Sequence, residues 1–388
     1  MKLRTIEGID VRGKYVLLRD DFNVQIVDGK ITDAFRIEQS MPTINALRNA
    51  GARIAVVAHL GRPKGTRNME CSLSPVAEYM NIPLIDDCLD KAFLSQMKDG
   101  DVVLLENVRF YAGEESNDLD FAERLAEGFD LFVNDAFAVS HRAHASTVGV
   151  TKFLPSYAGK LLASEIEHLD KVMSNPSRPL VAIVAGSKVS TKIGVLKALA
   201  RMADTLIIDG ALGTTFNYAL GAKVGNSLYE PDQKEIALEI LEYGKANNCK
   251  ILIPLDKGVG KDFSRDTTRT DKTFDEIEPD DVILDSGTLT TARNVDVIKS
   301  AATVIWNGTV GMAEWAPTWS VGSFGLARAI AEQTRGGKLD SIVGGGDTVA
   351  ALEACSVKDD ISYVSTGGGA FLEYVEGRDL PGISVLAE

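Results

Sequence analysis

A chain of 388 residues with 45% hydrophobic content is long enough for two full cores and points to two or three domains. Its 55 acidic residues against 41 basic ones leave a net charge of −14, which argues against nucleic acid and against an anionic membrane surface as partners. No apolar run approaches the roughly 18 residues needed to span a bilayer, and the charged stretch Met1–Asp20 does not read as a signal peptide, so the expected location is the cytoplasm. Cys71, Cys88, Cys249 and Cys355 lie far apart without CxxC pairing, read as reduced, and indicate neither a zinc site nor a disulfide framework.

The first half repeats one unit: an aliphatic run, a loop carrying Arg or His, then an amphipathic run. Tyr15–Leu18 predicts a strand that leads into Arg19, Asp20, Asp21, Phe22 and Asn23. Ile37–Leu47 reads as a helix preceded by Arg36, with Pro42 expected only in a first turn or at a kink. Ile54–Ala58 fits a strand buried on both faces of a parallel sheet and ends in His59, Leu60, Gly61, Arg62 and Pro63. Ser74 and Pro75 read as the N-cap and first position of a helix carrying Val76, Tyr79 and Met80. Ile82–Ile85 and Val102–Leu105 are short strands, the second running into Glu106, Asn107, Val108, Arg109 and Phe110. A helix through Phe121, Leu125 and Ala126 precedes the strand Leu131–Val133, after which come Asn134, Asp135, His141, Arg142 and His144.

Asp21, Asn23, His59, Arg62, Arg109 and Arg142 thus stand just beyond strand ends, with Arg36 at the mouth of a helix. Ligands of open α/β sheets bind at the carboxyl edge of the strands, so these side chains are expected to converge on one basic, hydrogen-bonding patch. A planar guanidinium donates two parallel bonds to carboxylate or phosphate oxygens, and several such forks suit a small, multiply charged anion. His59, His141 and His144 lack the spacing and carboxylate support of a metal site and read as neutral groups; His168 reads as a surface residue.

Tyr157–Met173 carries Leu161, Leu162, Ile166 and Leu169 at helical spacing and reads as one connecting helix, suited to a hinge. The second half restarts the rhythm with the strand Leu180–Val184 and the loop Gly186, Ser187, Lys188, Val189, Ser190, Thr191, Lys192. Neither GxxxxGK[ST] nor GxGxxG occurs, but Lys188 and Lys192, four apart at a helix start, are expected to face one phosphate chain. Strands are predicted at Thr205–Ile208, before Asp209; at Ile251–Leu255, before Asp256 and Lys257; at Val282–Leu284, before Asp285; and at Thr303–Trp306, before Asn307 and Gly308. A Gly-rich slot bordered by Leu212 and Met312 suits a flat base, with Glu314 accepting from ribose hydroxyls.

Between Ser341 and Ala370 a strand-like run twice ends in three glycines and opens into a helix. Gly344, Gly345 and Gly346 follow Ile342 and Val343, with Asp347 and Thr348 read as capping the segment Val349–Leu352. Gly367, Gly368 and Gly369 follow Tyr363 and Val364, ahead of Phe371, Leu372 and Val375. Bare backbone and helix N-termini bind anions, so the pair suits a polyphosphate, with Asp347 placed to hold its magnesium. An Arg-rich anion site on one lobe, a Gly- and Lys-rich phosphate site on the other and a helical hinge make the layout of a kinase that closes. No Ser/His/Asp or Cys/His arrangement is present, and a carboxylate acceptor, already ionised, needs no general base.

Eight motifs then align in order: RDDFNV (Arg19–Val24), HLGRP (His59–Pro63), ENVRF (Glu106–Phe110), HRAHAST (His141–Thr147), GSKVSTK (Gly186–Lys192), WNGTVGMAE (Trp306–Glu314), GGGDT and STGGGA. Together they resemble the phosphoglycerate kinase family over essentially the whole chain. The resemblance implies two Rossmann-like lobes with mainly parallel sheets, in which residues 1–156 and 372–388 bind 3-phosphoglycerate, 157–175 form the hinge and 176–371 bind the nucleotide. It implies reversible, magnesium-dependent transfer of a phosphoryl group between 1,3-bisphosphoglycerate with ADP and 3-phosphoglycerate with ATP, by a monomer. Asp21, Asn23, Arg36, His59, Arg62, Arg109 and Arg142 correspond to the acceptor site. Lys188, Lys192, Asn307, Glu314, Gly344, Gly345, Gly346, Asp347 and Thr348 correspond to the nucleotide site. Arg36, Lys192, Gly368 and Gly369 would stabilise the transferring group, and Leu380–Leu386 would cross back to the first lobe. The chain departs from the family pattern at Gln25 and Thr309, where Pro is usual, at Ala185 for Gly, at Asp209–Ala211 for a Gly-rich run and at Ala313 for Phe. Most of these border the expected adenine pocket, so they bear on base affinity and nucleotide preference.

Overall fold

Alternate residues of the strand Tyr15–Arg19 enter opposite hydrophobic clusters. Val16 and Leu18 pack with Ile37, Ile44 and Leu47 of the helix Phe35–Asn49, while Leu17 packs with Leu105, Phe121 and Leu125. A strand covered on both faces must be apolar at every position, which is why these runs are continuous rather than alternating. In the computed structural model, which describes Met1–Glu388, six strands form an all-parallel sheet. Its spatial order is Leu84–Ile85, Val102–Leu105, Arg53–Val57, Tyr15–Arg19, Leu131–Asn134 and Ser156–Ala158.

A second all-parallel sheet of six strands runs Lys250–Leu252, Thr205–Asp209, Leu180–Gly186, Thr303–Asn307, Asp340–Gly344 and Tyr363–Ser365. The chain divides into two compact units, Met1–Glu167 with Asp379–Glu388, and His168–Arg378. The C-terminal segment is held in the first unit by backbone bonds from Arg4 N to Leu386 O and from Gly382 N to Ser140 O, and by Asn134 Nδ2 donating to Gly382 O at 3.0 Å. In each sheet the chain order reverses beside the strand that starts the unit, at Arg19 in the first and at Gly186 in the second. Such switch points open a crevice at the carboxyl edge of the strands.

The two-unit parallel α/β class is as expected, but several elements differ. Tyr157 belongs to a short strand, Ser156–Ala158, and the connecting helix starts only at Lys160 and ends at Ser174. Pro42 lies inside the helix Phe35–Asn49 rather than in its first turn; lacking an N–H, it leaves the Glu38 carbonyl without its helical donor. The N-cap ahead of Ser74 is Leu73. Val282–Ser286 joins Asp256–Gly260 and Thr270–Thr273 in a separate antiparallel sheet, so the second unit is not purely βα. That sheet escaped prediction because Thr270–Thr273, reading TDKT, is polar and largely exposed.

Candidate active site

In the first unit the carboxyl edge gathers most of the anticipated side chains. Asp21 follows the strand Tyr15–Arg19, and its carboxylate accepts from Arg36 and from the backbone N–H of Asn23 at 3.1 Å. His59 Nδ1 lies 3.6 Å from Asp21 and 3.3 Å from the guanidinium of Arg19. Asn23 Oδ1 accepts from Gly61 N at 2.9 Å, and Arg109 donates to Gly61 O at 3.0 Å, so the two loops share one turn. Arg142 donates to His141 Nε2 at 3.1 Å. Arg62 is exposed beside this turn.

Arg19, Arg109 and Arg142 lie close enough to perturb one another and the nearby histidines. Burial, then Arg19 and Arg142, lower the pKa of Arg109. Burial, then Arg109, Arg19 and Arg142, push His144 down to about 3. Burial, opposed by Asp21 and reinforced by Arg19, Arg109 and Arg36, holds His59 well below its ordinary value. Both histidines are therefore neutral near pH 7. Arg109 Nε is buried and makes no hydrogen bond, with Glu115 Oε1 facing it at 3.6 Å. Perturbed groups converging in this way make a candidate binding site, at which a multiply charged anion would relieve the mutual repulsion.

Arg19 was not among the anticipated residues. It is fully buried, donates through Nε to Ser146 Oγ at 2.8 Å, and Ser146 in turn donates to Glu114 Oε1 at 2.6 Å. Its signal was an arginine closing the aliphatic run YVLLR, a position where a charge reads as the end of a strand.

In the second unit the bonds run through Lys192, Asn307 and the first glycine run. Lys192 Nζ donates to Ala185 O at 2.5 Å and to Asn307 Oδ1 at 3.3 Å, and Asn307 Nδ2 donates to Gly344 O at 2.9 Å. Gly345, with φ +101°, is the N-cap of the helix Gly346–Ala354. Asp347 therefore sits in the first turn and does not cap it, and Thr348 accepts through Oγ1 from Gly308 N at 2.8 Å. Burial lowers the Lys192 ammonium to about 8, against the pull of Asp347. Asp347 itself is exposed. Gly368 caps and Gly369 begins the helix Gly369–Val375, and the space above both Gly346 and Gly368 is open to 4 Å.

Lys188 and Lys192 do not share a helix face. The helix begins at Ile193 with Lys192 as its N-cap, and Lys188 is an exposed loop residue whose charge acts on Glu230. Glu314 is exposed in the short helical turn Ala313–Trp315. Leu212 is fully buried, and Met312 packs against a cluster of Val282, Leu284 and Trp319. At the departure from the family's Gly-rich run, Asp209 forms a buried ion pair with Lys257, which the sequence did not suggest.

Residues 6–378 match the family model described as phosphoglycerate kinase. A phosphoglycerate kinase of Brucella abortus is 44% identical over 395 residues, covering all of both sequences. One of Methylorubrum extorquens is 45% identical over 97% of this chain and 96% of its own. Among solved structures, phosphoglycerate kinase of Coxiella burnetii superposes with a TM-score of 0.86 at 40% identity over 99% of both chains. That of Pyrococcus horikoshii gives the same TM-score at 26% identity, over 99% of this chain and 98% of its own. The Arg-lined and Gly-lined crevices thus stand on a chain whose sequence and fold agree with these proteins from end to end, and it belongs to the phosphoglycerate kinase family.

Proposed function

We propose that the protein catalyses the reversible, magnesium-dependent transfer of a phosphoryl group between ATP and the carboxylate of 3-phosphoglycerate, the glycolytic reaction of its family. The observation that carries this reading is the gathering, on one chain, of two different sets of polar and charged groups at two sheet switch points. One is built from Arg19, Arg36, Arg109 and Arg142 with neutral His59 and His144; the other from Lys192, Asn307 and Gly344–Thr348. Met1–Glu167 would then hold the acceptor, with Asp21, Asn23 and Arg62 at its rim, and His168–Arg378 the nucleotide, with Lys188 and Glu314 at its edges.

The acceptor carboxylate is its own nucleophile at neutral pH, so what the protein supplies is position and charge neutralisation. Arg36 and Lys192 would meet the negative charge that spreads over the transferring group, and the helix start at Gly368 and Gly369 would add backbone donors. Asp347 suits a magnesium ion, since a single exposed carboxylate beside a phosphate cradle leaves the ion its waters and phosphate oxygens. Magnesium, when bound with the nucleotide, neutralises charge on the phosphate chain. No helix is long and apolar enough to cross a membrane; action in the cytoplasm, by a monomer, belongs to the same reading of the family.

In-line transfer requires the reacting atoms within about 3–3.5 Å and water excluded, so the two units must close on their ligands, with the helix Lys160–Ser174 as hinge. Small-angle scattering should then give a smaller radius of gyration with both ligands than with either alone, and identical values would refute closure. For the chemistry, Arg36→Ala should lower kcat about a hundredfold or more while leaving nucleotide affinity near wild type. Equal losses in both would remove Arg36 from the transition state.

A further inference from the structure

A fully buried ion pair lies outside the residues assigned above. Asp209 ends the strand Thr205–Asp209 and Lys257 lies in Asp256–Gly260; both are 0% exposed, with Nζ 2.5 Å from Oδ1. Gly210 N donates to the same Oδ1 at 2.8 Å, and Ser286 Oγ donates to Oδ2 at 2.7 Å. Lys257 Nζ also reaches Gly210 O at 3.4 Å. Lys257 and Ser286 are register partners in the antiparallel ladder, so the three-stranded sheet grips the start of the helix Gly210–Ala219 through one carboxylate.

Withdrawing both charges from water is costly, and apolar side chains of similar volume often serve stability as well or better. The pair is better explained by the geometry it fixes. Gly210 has φ +70° and bridges to Gly186; a Cβ on it would stand 3.0 Å from Gly186 N and O and 3.5 Å from Thr309 O. Gly186 borders the Lys192 ammonium, 3.1 Å from where its own Cβ would be, and a Cβ on Gly308 would stand 2.1 Å from Ala185 O. Bare backbone at Ala185–Gly186, Gly210 and Gly308–Thr309 therefore forms one layer beside Lys192 and Asn307, and the ion pair backs that layer.

We propose that Asp209 and Lys257, with Ser286, are positioning residues for the nucleotide. They hold the Gly210 turn against Gly186 and the backbone layer beside Lys192, and so set the affinity for a nucleoside di- or triphosphate without touching its phosphates. This rests on the reading of His168–Arg378 as the nucleotide unit. The test compares wild type, Asp209→Ala, Asp209→Ala combined with Lys257→Met, and Ser286→Ala. For each, melting temperature, Kd for ADP and GDP by calorimetry, and KM for 3-phosphoglycerate are measured.

Asp209→Ala strands a buried ammonium and should melt well below wild type; adding Lys257→Met should recover most of that loss. ADP affinity should fall about fivefold or more in both, with GDP affinity falling alike. KM for 3-phosphoglycerate should stay within about twofold. Ser286→Ala, which uncovers no charge, should weaken ADP about threefold and carries the test should Asp209→Ala not fold. Recovery of ADP affinity together with melting temperature in the double variant would reduce the pair to a structural role and overturn the proposal. So would unchanged ADP affinity in Ser286→Ala and the double variant. A wild-type protein that bound no ADP would remove the nucleotide reading itself, and this proposal with it.

Discussion

Burial brings the Lys192 ammonium down to about 8 in the protein without ligands, while Asp347 pulls the other way. A lysine with a lowered pKa is charged below that value and loses its charge as pH rises through it. Nucleotide phosphates favour the charged form, so binding must raise the pKa and take up a proton. Calorimetry of ADP binding at pH 8 in two buffers of different ionisation enthalpy should report an uptake of about half a proton, lost in Lys192→Met, with affinity declining above pH 8. Proton-neutral binding by the native protein would contradict the place given to Lys192. This lysine was legible in the sequence because it stands at a helix start in the loop that follows the strand Leu180–Gly186. Arg19 was not, because a charge at the end of an aliphatic run also marks an ordinary strand end. Asp209 and Lys257, 48 residues apart, carry no local signal of each other at all.

Among the elements, the loop after Thr303–Asn307 and the helix Gly346–Ala354 are joined by the Thr348 hydroxyl, which accepts from Gly308 N. Thr348→Val keeps the shape and removes the acceptor, so the native state should lose about 1 kcal/mol in urea unfolding. An unchanged midpoint would show that the two elements are held by other contacts. Strands covered on both faces were readable from their aliphatic runs, and the glycine runs were readable as strand-to-helix turns. The short strand Ser156–Ala158 was absorbed into the following helix because helical periodicity extends back through Tyr157. Gly345 took the capping position assigned to Asp347 because only glycine adopts φ +101° freely there, and the helix starts two residues earlier.

The whole molecule repeats one device: a parallel sheet whose strand order reverses, with a different set of side chains at each reversal. The first set is arginine and neutral histidine, fit for a small acid; the second is lysine, asparagine and bare backbone, fit for a phosphate chain. Neither set carries a nucleophile with a base, so the protein's task is to bring two bound anions together rather than to react with either. Turnover should therefore need both ligands on one chain. The direct measurement is a coupled assay of ATP consumption with magnesium and 3-phosphoglycerate, run beside GTP and beside each substrate omitted. Turnover is expected only when nucleotide, magnesium and 3-phosphoglycerate are all present; 3-phosphoglycerate binding without any turnover would contradict this and leave a binding protein in the place of the kinase.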